Sequence, residues 1–137
     1  MSKYTFAGLA ESTGEMFPAI PAGRYPVRIS SVEPKDSKNG NPMLVIRGTV
    51  IAPSDHENTS LTNWLLLPNP EKQEEEEVKR RIAELKNICI AADIDVTDDE
   101  FEPSDLHGCE LTFVVDREEK EGEKPRNNVK SVLPLQV

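Results

Sequence analysis

Apolar and polar positions alternate along 23–32, where Tyr25, Val27 and Ile29 fall between Arg24, Pro26 and Arg28. That two-residue period predicts a half-buried strand, with Pro26 near its start or at an edge because proline brings no N–H to a ladder. A second run, 41–52, sets Leu44, Ile46, Gly48 and Val50 on one face and Val45, Arg47 and Thr49 on the other. Asn39 and Gly40 stand between the two runs and tolerate positive φ, so a hairpin with a long polar loop is expected. A third strand is predicted over 60–69, ended by Pro68. From 73 to 94 the period lengthens: Val78, Ile82, Leu85, Cys89 and Ala92 recur at spacings of four and three, the stripe of an amphipathic helix. Glutamates crowd its N-terminal end, where the helix dipole favours them. Alternation returns over 109–116 with Leu111, Phe113 and Val115 inward, and a fifth strand starts near Asn128 and frays after Pro134. The stretches 93–105 and 117–128 read as an acidic loop and a charged turn around Gly122. Residues 1–20 lack periodicity and read as an extended arm ahead of one domain over 21–137.

Three strands, a helix and two strands give an all-β protein with one helix. The predicted fold is a five-stranded Greek-key OB-fold barrel with its helix between strands 3 and 4. An α+β sandwich pairing the same elements differently is the alternative. The 137 residues fit a single core. A net charge of −9 weighs against nucleic-acid binding, because phosphate contacts need cations. The distribution removes that objection: 71–77 carries −4 and 93–105 carries −7, which leaves +2 for everything else. A separate face can therefore be locally basic. No apolar run is long enough to span a bilayer, and the N-terminus lacks the apolar core of a signal peptide. With Cys89 and Cys109 as the only cysteines, the expected setting is a reducing cytoplasm.

The segments F-P-A-I-P-A-G-R-Y (17–25), S-K-N-G-N-P-M-L (37–44), D-L-H-G-C-E-L (105–111) and N-N-V (127–129) together carry a resemblance. The chain resembles a phage protein family long catalogued as a domain of unknown function. Members of that family are similar to the OB-fold single-stranded DNA-binding proteins of phage replication and recombination. The resemblance runs from about Phe17 to Pro134 and transfers no catalytic residue. It implies a protein that coats single-stranded DNA with little sequence preference in the host cytoplasm. Phage recombination or replication proteins are the implied partners, with a homo-oligomer compatible and no membrane or cofactor involved. The chain ends PLQV, not in the acidic recruiting tail of many replicative single-strand binders, so C-terminal recruitment is not expected.

An OB-fold binds oligonucleotides on the face of its second and third strands, flanked by the loops between strands 1 and 2 and between strands 4 and 5. Lys35 and Lys38 are expected in the first loop, and Lys120, Lys124 and Arg126 in the second. Arg47 points out from the second strand, with Arg28 and Lys130 on neighbouring strands. Such cations hold the backbone of a single strand while aromatics stack on its bases. Trp64, the only tryptophan, faces outward with Thr62 if Leu65 and Leu67 face the core; a slip of one residue buries it instead. Tyr25 and Phe113 lie on apolar faces and read as core.

Other chemistry is poorly served. His107, Cys109 and Cys89 would need His56 or a carboxylate to complete a zinc site, and core cysteines account for the pattern better. The stretch D-I-D-V-T-D-D-E lacks the glycine and the terminal glutamate of a calcium loop. No phosphate-loop, nucleophile-elbow or zinc-protease motif occurs, so no enzyme is expected. The competing reading is an OB-fold interaction module whose acidic surface docks a basic recombination or replication partner.

Overall fold

The computed structural model describes residues 3–7, 9–10, 19–51 and 56–135. Five strands form one sheet: β1 (Gly23–Asp36), β2 (Pro42–Val50), β3 (Ser60–Leu66), β4 (Glu110–Glu118) and β5 (Arg126–Pro134). A single α-helix, α1 (Glu75–Ala91), lies between β3 and β4 and is followed by a short 3-10 helix, Pro103–Leu106. The strand order is β3-β2-β1-β4-β5, every neighbouring pair antiparallel. This is the expected Greek-key order with the helix in the expected place. The ladder does not close: β3 and β5 end the sheet, approach one another and share no strand pairing.

The core is built by the predicted alternation. Val27, Ile29, Leu44, Ile46, Val50, Leu61, Leu65, Leu111, Phe113 and Val115 are all buried together. Complete burial of each such side chain stabilises by about 1.5–3 kcal/mol relative to exposure. Gly48 sits in this layer for a steric reason. A Cβ there would lie 3.0 Å from the Phe113 ring and 3.1 Å from a Val27 methyl, so a larger residue would push the ring back by a few tenths of an ångström.

β1 departs from its predicted extent. It runs to Asp36, and the turn to β2 is only 37–41, not a long loop. The cause is a bulge: Ile29 pairs with Gly48 but Ser31 pairs with Arg47, leaving Ser30 over. An extra residue shifts the side-chain phase by one. Before it, Val27 and Ile29 point inward; after it, Val32 and Pro34 oppose Ile46 and Leu44, while Glu33 and Lys35 point outward. Hydrogen bonds Ser37 N to Asn41 O and Gly40 N to Ser37 O close the turn, with Gly40 at φ 78°.

The helix stripe is also rotated from its prediction. Ile88, Cys89 and Ala91 are buried and Leu85 is half-buried, but Ile82 is 52% exposed. Arg81 takes an inward position instead. At the sheet's other end, Ile20 is buried and clipped to β5: its N–H donates to Asn127 Oδ1 at 3.0 Å and its carbonyl accepts from Asn127 Nδ2 at 2.8 Å. Among the described residues no helix is long and apolar enough to cross a membrane.

Candidate nucleic-acid interface

The outer face of β1, β2 and β3 is a grid fixed by register. Lys35 lies opposite Met43 and Met43 opposite Leu66; the next row is Glu33, Val45 and Trp64. Ser31, Arg47 and Thr62 form the third row, and Arg28, Thr49 and Ser60 the fourth. Rows two residues apart are separated by about 6.5 Å, so the grid runs roughly 20 Å along β2.

Trp64 takes the outward register because Leu61 and Leu65 are buried on the opposite face of β3. Its indole is 57% exposed, and the Lys35 ammonium sits 5.7 Å from the ring centroid. Val45, between Glu33 and Trp64 in the grid, is buried although it is on the outer side. Arg47 makes an ion pair with Glu33 at 3.4 Å, and Arg28 one with Glu110 at 3.3 Å. Lys38 occupies the β1–β2 turn with no ion pair among the described residues.

Lys72 joins this turn unannounced by the sequence. The segment after β3 folds back on the β1–β2 hairpin: Leu67 N donates to Pro42 O at 2.9 Å and Asn69 Nδ2 to Asn41 Oδ1 at 3.2 Å. Gln73 locks the segment by donating to Leu67 O and accepting from Asn69 N. This brings Lys72 Nζ to 3.2 Å from Asn39 O. Lys35, Lys38 and Lys72 thus gather at one end of the grid, with Asp36 and Glu71 as the acids beside them in the chain. In sequence Lys72 is masked by the five glutamates around it, and only the fold separates it from them.

The cations of the β4–β5 hairpin are held differently. Arg126 opens β5 instead of lying in the turn, while Lys120 and Lys124 remain in it. Glu118 accepts from Lys120 at 3.0 Å, Arg126 at 3.1 Å and Asn128 at 2.9 Å. Lys130 pairs with Asp116 at 3.6 Å. Along β1 the two hairpins lie at opposite ends, since Asp36 pairs with Pro42 and Gly23 with Val115. The hydrogen bonds from Asn128, Lys120 and Arg126 lower the Glu118 pKa from 4.5 to about 2. A depressed carboxylate favours the folded hairpin above its unfolded pKa and loses that contribution as protons bind. The β4–β5 turn is therefore expected to keep its order down to about pH 4.5 and loosen as pH falls toward about 2. Amide shifts of Asn128 followed by NMR check this; a Glu118→Gln protein should show no such transition.

Neither cysteine is an activated thiol. Burial raises the pKa of Cys89, and burial with the nearby Asp105 raises that of Cys109. Among the described residues no three His, Cys, Asp or Glu side chains gather as a metal site.

A family model described as "Protein of unknown function (DUF669)" matches residues 8–136, nearly the whole chain, so the chain belongs to that family. No curated protein matches the sequence.

Proposed function

We propose that this DUF669 chain binds single-stranded DNA with little sequence preference, laying it across the outer face of β1, β2 and β3. The observation that carries the reading is Trp64: an indole 57% exposed on the β2–β3 face of an OB-type sheet, with the Lys35 ammonium 5.7 Å from its ring. An exposed cation–π contact is worth about 0.5–1 kcal/mol, and a base stacked on an aromatic about 1–3 kcal/mol. A base can therefore displace the Lys35 head from the ring, and the freed ammonium can meet a phosphate. Lys38 and Lys72 extend that cationic end, while Arg47 and Arg28 would exchange carboxylate partners for phosphates further along. The resemblance of the segments around Pro21, Gly40, Gly108 and Asn127 to phage single-strand binders supports the same reading.

Titrating the protein with oligo(dT) by tryptophan fluorescence at two salt concentrations tests it. Quenching with an affinity that falls as salt rises is the expected result. Absence of binding at low salt would overturn it, and turnover of the oligonucleotide with added magnesium would point to a hydrolase instead. Changing Lys35 and Lys38 together to Glu should weaken binding at least tenfold and flatten the salt slope, and adding Lys72→Glu should flatten it further. An unchanged slope would take the β1–β2 turn out of the site.

A second reading draws on a different surface. Ile82, Leu85, Val96 and Phe101 line an apolar groove beside α1, with Asp99 and Glu100 on it, which suits a basic, partly apolar protein partner. That partner's binding would be insensitive to the lysine changes above.

A further inference from the structure

The open seam between β3 and β5 forms a cavity of about 320 Å³ floored by α1. That is the small end of the range for ligand pockets, suited to one base and not to a run of nucleotides. Trp64 stands on its wall, so the cavity is continuous with the proposed binding face. Asn63, Arg81, Glu84, Asn87, Lys130 and Ser131 supply its polar groups.

Arg81 shows what kind of ligand fits. Its side chain is only 18% exposed, and its terminal nitrogens bind Glu77 at 3.3 Å and Glu84 at 3.2 Å. Its Nε is buried without a hydrogen-bond partner among the described residues. That nitrogen is closed off from the cavity, so Arg81 acts here by holding Glu84 in place. Two carboxylates hold the Arg81 guanidinium, and Lys130 on the same wall is held by Asp116 at 3.6 Å. Among the described residues no cation of the cavity is left over for a phosphate, so the ligand is a neutral group. Glu84 has lone pairs beyond those facing Arg81 and asks for donors. The complement is a base edge presenting donors beside an acceptor. Guanine offers N1–H and the N2 amine next to O6, the pair of donors a carboxylate accepts best.

We propose that the β3–β5 seam is a single-base pocket that favours guanine. Trp64 stacks on the incoming base at the mouth, Glu84 accepts its N1–H and N2 amine, and the amide of Asn63 or Asn87 donates to O6. Unstacked bases are commonly read in this way, by an aromatic platform and hydrogen bonds to the pairing edge. The inference rests on the single-strand reading above and adds a preference at one position to otherwise tolerant binding.

The test uses dT oligomers carrying one central dG, dA, dC or deoxyinosine, titrated against the full chain and against Glu84→Gln. The expected result is about tenfold tighter binding of the dG oligomer, in line with a well-placed bidentate contact. Deoxyinosine, which lacks the 2-amino group, should lose most of that gain. Glu84→Gln should bind all four alike while keeping the wild-type salt dependence and a melting curve that shows it is folded. Equal wild-type binding of all four would overturn the pocket and leave the single-strand reading standing. A dG preference that survives in Glu84→Gln, or that deoxyinosine retains in full, would also overturn it. Failure to bind any oligomer would sink both readings together.

Discussion

Replacing Trp64 with alanine is expected to weaken oligo(dT) binding by roughly 1–3 kcal/mol, about five- to 150-fold, and to abolish the fluorescence response. The fold should survive, because the indole is 57% exposed. What stability it loses comes from the Lys35 contact and from uncovering Val45, together within about 1 kcal/mol. Thermal melts run beside the titrations separate the outcomes. A normal melt with weakened binding supports stacking. A normal melt with unchanged binding removes Trp64 from the interface, and with it the main support for the proposed function.

The second large effect lies in the core. Phe113→Ala should cost about 3–5 kcal/mol, a fall of roughly 10–20 °C in melting temperature for a chain of this size. Phe113 is 1% exposed, and its ring fills the space over Gly48 between β2 and β4. The same geometry predicts coupling between positions 48 and 113. In the wild-type protein Gly48→Ala should destabilise by about 1–3 kcal/mol, since the new methyl meets Phe113 and Val27. In the Phe113→Ala protein the ring contact is gone and only the Val27 contact at 3.1 Å remains, so the same change should cost less. Denaturant melts of the four proteins form a double-mutant cycle, and purely additive effects would refute the contact.

The site was half legible in advance. Trp64 and Arg47 on the outer face followed from strand alternation once Leu65 faced the core. The sequence puts Lys35 in the β1–β2 loop, but it lies within β1, and its position on the outer face beside Trp64 depends on the Ser30 bulge, which reverses the phase of β1. No local signal marks that bulge, because Ser30 and Ser31 fit either phase. Lys72 was hidden by its charge environment, and Ile82 looked like core because helical spacing reports a stripe without saying which part of it meets a neighbour.

What the sequence by itself determined was the series of elements, their order, and which face of β2 and β4 is buried, while β3 stayed open between two registers. Those follow from side-chain periods of 2.0 and 3.6, which are properties of the local backbone. Only the tertiary structure decided the ion pairs that occupy Glu118, the return of Lys72 to the β1–β2 turn, and the gap between β3 and β5 with Arg81 inside it. These depend on how far the sheet curls and where the connecting segments land. Both are set by packing between residues distant in sequence, which no local period encodes.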